Sequence, residues 1–185
     1  SKHTNAYFTG LGSKKRIVLY DTLIKSHTVD EAALIFAHEV GHWKHDHMRI
    51  GFTLAFLGTL LGCLVAWWGF PWLQQEPALH LREIWHPVNL PFFLVVVTVS
   101  TLLFAPFEAQ ISQHFERQAD RASLELTGLK QVFIDAEVRL ARDNHAELLP
   151  HPLRVFWLYS HPPAIDRIRM AEEYAPTAAS SPASP

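Results

Sequence analysis

From Ile50 to Leu73 the chain runs 24 residues without a charged side chain or a histidine, and from Pro87 to Phe107 it does so again for 21. A helix of the first length is about 36 Å long, enough to cross a bilayer core of about 30 Å with some tilt. Trp67, Trp68 and Trp72 lie at the far end of the first run, where an aromatic belt belongs. Val95, Val96, Val97 and Val99 occupy the centre of the second. Between the runs, residues 74–86 are polar and carry Glu76, Arg82 and Glu83. Two such runs are hard to bury in a chain of 185 residues. The expectation is a transmembrane helical hairpin, with a soluble four-helix-like core as the alternative. The chain is 18% charged, against about 25% in an ordinary soluble domain, and these runs account for the deficit. A hairpin returns the chain to the side it left. Lys14, Lys15, Arg16, Lys44, Arg49, Arg117 and Arg121 all flank it there, against Arg82 alone in the loop, so that side is read as cytoplasmic. A formal net charge of −2 gives no reason to expect a nucleic-acid partner.

Just before the first run stands His38-Glu39-Val40-Gly41-His42, an H-E-x-x-H pattern. Thr28-Val29-Asp30-Glu31 is a capping box, so a helix is expected to begin near Val29 and to carry the motif. Residues four apart share a helix face, which lets His38 and His42 present two imidazoles to one metal ion. Glu39 has the place of the general base in zinc proteases of this motif. The single cysteine, Cys63, lies in the first apolar run, so a metal has to be held by histidine and carboxylate. A catalytic zinc takes three protein ligands. The third is a His, Glu or Asp, and Glu116 is a candidate on a helix that returns to the same side. Asp120, one turn on, suits a role in orienting a ligand imidazole. His45 and His47 read as a polar cluster at the helix end rather than as further ligands, and Asp46 as an imidazole-orienting or solvated acid. Gly41 costs about 1 kcal/mol of helix stability against alanine and marks a place where a backbone or a substrate approaches closely.

The flanks are shorter elements. Asn5–Gly10 and Arg16–Tyr20, with a turn at Gly10, Gly12 and Ser13, read as a β-hairpin. It is either structural or an edge that takes an extended peptide as an added strand. Residues 108–127 read as a helix ended by Gly128. Residues 129–144 read as an amphipathic helix with Val132, Phe133, Ala136, Val138 and Leu140, and a last helix starts near Pro163. Residues 176–185 are low in complexity and are expected to be disordered. The organisation expected is thus edge strand and motif helix (1–48), membrane hairpin (49–110), carboxylate helix and C-terminal helices (111–175), and tail (176–185). The chain opens at Ser1 without an initiator methionine and with no stretch that reads as a signal or transit peptide, and is expected to be a fragment of a longer protein.

Five blocks in order carry a resemblance: Thr4–Gly10, Lys15–Leu23, His38–Lys44, Phe115–Asp120 and Tyr159-Ser160-His161-Pro162-Pro163. Together they resemble the type I CAAX prenyl endopeptidases, integral-membrane zinc metalloproteases of the gluzincin kind. The resemblance runs from about residue 4 to 170. It implies a mainly α, membrane-embedded gluzincin-like core with a small N-terminal β-hairpin and a transmembrane helical hairpin. It implies one Zn2+ per chain held by His38, His42 and Glu116, with Glu39 as general base and Asp120 supporting a ligand. His161 resembles the family histidine that steadies the oxyanion, and Arg167 the arginine that pairs with the glutamate ligand. Asn5 and Ala6 fall on the strand that receives the substrate backbone. That family has further membrane helices before the edge strand, so the chain reads as its C-terminal catalytic portion. The activity implied is hydrolysis of a peptide or protein substrate near a C-terminal prenylated cysteine. The location implied is multi-pass, in a bacterial inner membrane or the endoplasmic reticulum. Two rivals are a bacterial-type membrane quality-control zinc protease and a non-catalytic membrane scaffold with structural zinc. The intact Glu39 disfavours the second, since a structural site needs no base.

Overall fold

The structure is a computed structural model that describes residues 6–9, 16–19 and 27–175. It is mainly helical and divides into two compact units. One joins Ser1–His47 with Phe107–Pro185, and the other is Met48–Pro106.

In the first unit, strands β1 (Ala6–Thr9) and β2 (Arg16–Leu19) pair antiparallel, with Ala6 opposite Leu19 and Thr9 opposite Arg16. Asn5 and the expected turn at Gly10, Gly12 and Ser13 lie outside the described residues, as does the tail 176–185. Helix α1 (Val29–Lys44) begins on the capping box read from the sequence. The Thr28 N–H donates to Glu31 Oε2 at 2.9 Å, and the Glu31 N–H donates to Thr28 Oγ1 at 3.2 Å. Glu31 also takes Arg139 Nη2 at 2.8 Å, which ties this helix start to a neighbouring helix. At the other end the chain breaks at Asp46, whose φ of 52° is left-handed, and restarts as α2 (His47–Leu73).

Helix α3 (Leu90–Thr127) is continuous for 38 residues. The sequence reading starts a separate helix at 108. The structure instead continues the helix past Pro106; a proline there costs one ladder hydrogen bond and crowds the preceding turn without having to end the helix. From Phe107 onward it belongs to the first unit. There its buried residues are Ala109, Gln113, Glu116, Ala119, Asp120, Ala122, Ser123 and Leu124, a stripe at three- and four-residue spacing. Gly128 ends it as read, at φ 67°, with its N–H donating to Leu124 O at 2.9 Å.

Helix α4 (Lys130–Asp143) buries Phe133, Glu137 and Ala141, one residue every fourth position. Val138 and Leu140 are each 51% exposed. A carboxylate takes the middle of the buried stripe because an arginine meets it there, as described below. Two further helices follow, α5 (Pro152–Leu158) and α6 (Ala164–Glu173). Leu34, Leu124, Phe133 and Ala171 form the apolar core of this unit, with Leu129, Val132, Met170 and Tyr174 against it.

Gly41 is where α1 meets α3. A Cβ built on Gly41 would stand 2.9 Å from Ala119 Cα and 3.0 Å from Ala122 Cβ. The close approach anticipated from the sequence is thus to the helix that carries Glu116. Gly41→Ala gains about 1 kcal/mol of helix propensity but forces two backbones apart, and overpacking of that kind costs about 1–3 kcal/mol. The variant is expected to unfold at a lower temperature than the parent and to bind metal more weakly. Thermal unfolding with and without zinc measures both, and a gain in stability would show that the two helices have room to spare.

In the second unit, α2 and the first part of α3 present apolar side chains outward along their lengths, among them Phe52, Phe56, Leu61, Val65, Leu94, Val95 and Val97. Both helices are long and apolar enough to cross a membrane. Their apolar windows are almost wholly unburied, unlike the core helices of a soluble protein. That surface points to a membrane protein. Phe70, 3% exposed, stacks on Phe93 at 5.5 Å between centroids. In the connecting loop Asn89 is buried and replaces a small sheet's worth of bonds: its Nδ2 donates to Arg82 O and Glu83 O, and its Oδ1 accepts from the Arg82 N–H.

Candidate metal centre

The first unit brings His38 and His42 of α1 against Glu116 of α3. The two Nε2 atoms are 3.1 Å apart. Glu116 Oε2 is 3.4 Å from His38 Nε2, and Glu116 Oε1 is 3.5 Å from His42 Nε2. Ligand atoms held about 2.1 Å from a tetrahedral zinc are about 3.4 Å from one another. Two imidazole nitrogens and one carboxylate at these separations therefore fit such an ion, in both donor chemistry and spacing. Among the described residues these three form the group able to hold a metal.

Each histidine is oriented from behind. His38 Nδ1–H donates to Asp120 Oδ1 at 2.9 Å, which turns its Nε2 toward His42 and Glu116. Asp120 is fully buried and is held in turn by Arg167. Arg167 Nε reaches Oδ2 at 2.7 Å and Nη2 reaches Oδ1 at 2.6 Å. The remaining face of the guanidinium is taken by Glu137 Oε1, 2.7 Å from Nη1. The resemblance pairs Arg167 with the glutamate ligand. In the structure its two carboxylate partners are Asp120 and Glu137 instead, since α6 packs beside α4 and the bidentate geometry is satisfied at Asp120.

The electrostatics suit a cation. Glu39, Glu116, Asp120 and Glu137 bring four carboxyl groups to one region, where Arg167 pairs with Asp120 and Glu137. Burial works against a charge on His38, but hydrogen bonds to Asp120 and Glu116 outweigh it and hold the imidazole up at about 9. Burial, reinforced by the charge on His38, pushes His42 down to about 4. Burial also raises Glu39; the charge of His38 opposes this and the carboxylate of Glu116 adds to it. Glu39 is half-buried and close enough to Glu116 to feel its charge.

His161 lies on the open side, with Nε2 3.6 Å from Glu116 Oε2 and its ring exposed. Ser160 Oγ is 2.9 Å from its Nδ1. The segment leading to it is pinned by Gln113, whose buried Nε2 donates to Val155 O at 3.1 Å and Tyr159 O at 2.8 Å. Arg117 Nη2 donates to Gln113 Oε1 at 3.2 Å and completes that side chain's bonding. Ala6 lies in β1, beside α1.

Sequence reasoning left out three of these residues. Gln113 and Glu137 carry no pattern that sets them apart from solvated polar residues on amphipathic helices. The sequence places His47 in a polar cluster at a helix end. It is instead 4% exposed, with Nδ1 2.9 Å from His42 Nδ1 and Nε2 2.8 Å from Gln118 Oε1. The left-handed turn at Asp46 swings it back onto His42. The five-residue step from His42 to His47 gives no hint of this, since it is not a helical neighbour spacing.

Two histidines and a glutamate converging beside a half-buried H-E-x-x-H glutamate define a metallopeptidase centre. The chain belongs to peptidase family M48, whose model matches residues 1–175. It is 33% identical over 174 residues to a CAAX prenyl protease 1 homolog of Arabidopsis thaliana, covering 91% of this chain and 40% of that protein. It is 30% identical over 175 residues, with the same coverage, to the uncharacterized metalloprotease YhfN of Bacillus subtilis. The crystal structure of S. mikatae Ste24p superposes with a TM-score of 0.74 at 28% identity, covering 92% of this chain and 42% of that one. The chain thus spans about two-fifths of the length of the relatives it matches.

Proposed function

We propose that this chain is the catalytic portion of a membrane-embedded zinc endopeptidase that cleaves near the C-terminus of CAAX-type, prenylated proteins. The observation that carries the reading is the His38–His42–Glu116 triangle, at zinc-ligand spacing beside Glu39. One zinc bound by these three side chains would polarise the scissile carbonyl and acidify water. Glu39, its basicity raised by burial, takes the proton of the attacking water and passes it to the leaving amine. His161 donates from the open side to the developing oxyanion. Asp120 and Arg167 keep His38 in one orientation throughout. The substrate lies extended along β1 at Asn5 and Ala6, where β1 has a strand on one side only among the described residues. The prenyl-type substrate is supported by the curated relatives named CAAX prenyl protease 1. The outward apolar surfaces of α2 and α3 support anchorage in a bilayer as a hairpin, and the basic flanks support a cytoplasmic active side.

Removing the metal with a chelator is expected to abolish cleavage of a C-terminal prenylated peptide, and stoichiometric zinc to restore it. Cleavage that persists with the metal stripped would sink the reading. A second reading is an endopeptidase indifferent to the prenyl group, since the Bacillus subtilis relative is named only as a metalloprotease. Equal kcat/KM on prenylated and unprenylated forms of one peptide would decide for it.

A further inference from the structure

We propose that His47 and Gln118 act together as a tautomer lock on His42, setting which of its ring nitrogens carries the proton and so which one is offered to the metal. The inference rests on the metal-site reading above and adds two positioning residues to it.

The directions of the bonds follow from the donor and acceptor chemistry. Gln118 presents its carbonyl Oε1 to His47 Nε2 at 2.8 Å, and a carbonyl only accepts, so the proton sits on His47 Nε2. A neutral imidazole has one N–H, which leaves His47 Nδ1 as an acceptor. That atom is 2.9 Å from His42 Nδ1, so the His42 proton sits on Nδ1. His42 Nε2 is left with its lone pair, facing His38 Nε2 and Glu116. Run the other way, from an amide N–H at Gln118, the same chain would put a proton on His42 Nε2, in the middle of the ligand set. Gln118 therefore decides the outcome at a histidine it does not touch.

The arrangement has the same logic as the one behind His38, but with neutral groups. Asp120 accepts the Nδ1–H of His38 directly. Behind His42 Nδ1 stand an imidazole and an amide in series. The His47 ring is held for this by stacking on Phe115, 4.2 Å between centroids and 10° from parallel, and more distantly on His45 at 5.5 Å and 16°. Gln118 is two residues from Glu116 on α3, so the helix that brings the carboxylate ligand also brings the group that sets the second imidazole.

The test reads the tautomer and the metal separately, on the full 185-residue chain in detergent. Long-range 1H–15N correlation on histidine-labelled, metal-free protein is expected to show His42 with its proton on Nδ1. His47→Phe keeps the stack on Phe115 and removes both nitrogens. It is expected to release His42 into a mixture of tautomers and to weaken zinc binding, measured by chelator competition, by about 10–100-fold. His47→Asn offers a carbonyl acceptor on a short stem and is expected to recover most of that affinity. Should the His47 variants not fold, Gln118 carries the same test. Gln118→Glu, an acceptor only, should keep the Nδ1–H form, and Gln118→Leu should lose it. A proton on Nε2 of His42 in the parent, or a tautomer and zinc affinity unchanged in His47→Phe and Gln118→Leu, overturns the proposal. A parent chain that shows the Nδ1–H form but binds no zinc upholds the lock and overturns the metal-site reading instead.

Discussion

Replacing Glu39 with glutamine is expected to lower peptide hydrolysis by about 10²–10⁴-fold, the range a positioned general base contributes, and to leave zinc binding intact. The side chain keeps its size and its hydrogen-bonding reach but cannot take a proton at neutral pH. Nothing in the ligand set depends on it: His38, His42 and Glu116 meet one another without Glu39. Its carboxyl is raised by burial, so its removal relieves a small electrostatic cost and leaves the fold at least as stable. The expected pattern is therefore a fall in kcat, an unchanged metal content and an unchanged or slightly higher unfolding midpoint. Single-turnover cleavage, metal analysis and thermal unfolding on one preparation read all three. Undiminished cleavage with zinc in place would remove Glu39 from the chemistry. Loss of zinc together with activity would give Glu39 a structural part that the geometry does not show.

The parts of this site that lay open in the sequence are those whose chemistry and spacing are both local. His38, Glu39 and His42 fall within one helical turn, and the capping box that starts their helix sits within four residues. The apolar runs were equally plain, because length and lack of charge need no partner to be recognised. Glu116 was only a candidate, since a carboxylate on a helix says nothing of what it faces. It took the close approach of Gly41 to Ala119 to bring that face to the histidines. The least legible features are those in which one polar residue is explained by another far along the chain. Glu137 looks like an error in the apolar stripe of α4 until Arg167 is set against it from α6. Val138 and Leu140, two apart and so on different sides of the helix, are both half exposed. His47 depended on a left-handed residue at Asp46, a conformation that aspartate tolerates but does not announce.

Arg167→Met is expected to have the largest effect on stability of any single change outside the ligands. The guanidinium satisfies both oxygens of Asp120, which is fully buried, and one oxygen of Glu137, which is nearly so. Removing it leaves two carboxylates in a region already rich in negative charge. Truncating one partner of a buried ion pair costs about 3–5 kcal/mol, and here two pairs share the lost partner. Arg167→Lys is expected to recover little, because an ammonium cannot make the paired contact to Asp120 and still reach Glu137. The damage also reaches the metal centre. Asp120 Oδ1 is shared between Arg167 Nη2 and His38 Nδ1, so a carboxylate set loose by the loss of Arg167 no longer fixes the His38 ring. Loss of a ligand's supporting partner typically weakens metal binding about 10–100-fold. Zinc affinity in Arg167→Met should therefore fall even at temperatures where the chain is still folded. A second change separates the two effects. Glu137→Gln in the Arg167→Met background removes one stranded charge without touching Asp120. It should restore part of the unfolding midpoint and leave the zinc affinity low. Recovery of both together would mean that Arg167 acts on the metal only through the stability of the fold, and that Asp120 holds His38 without its help.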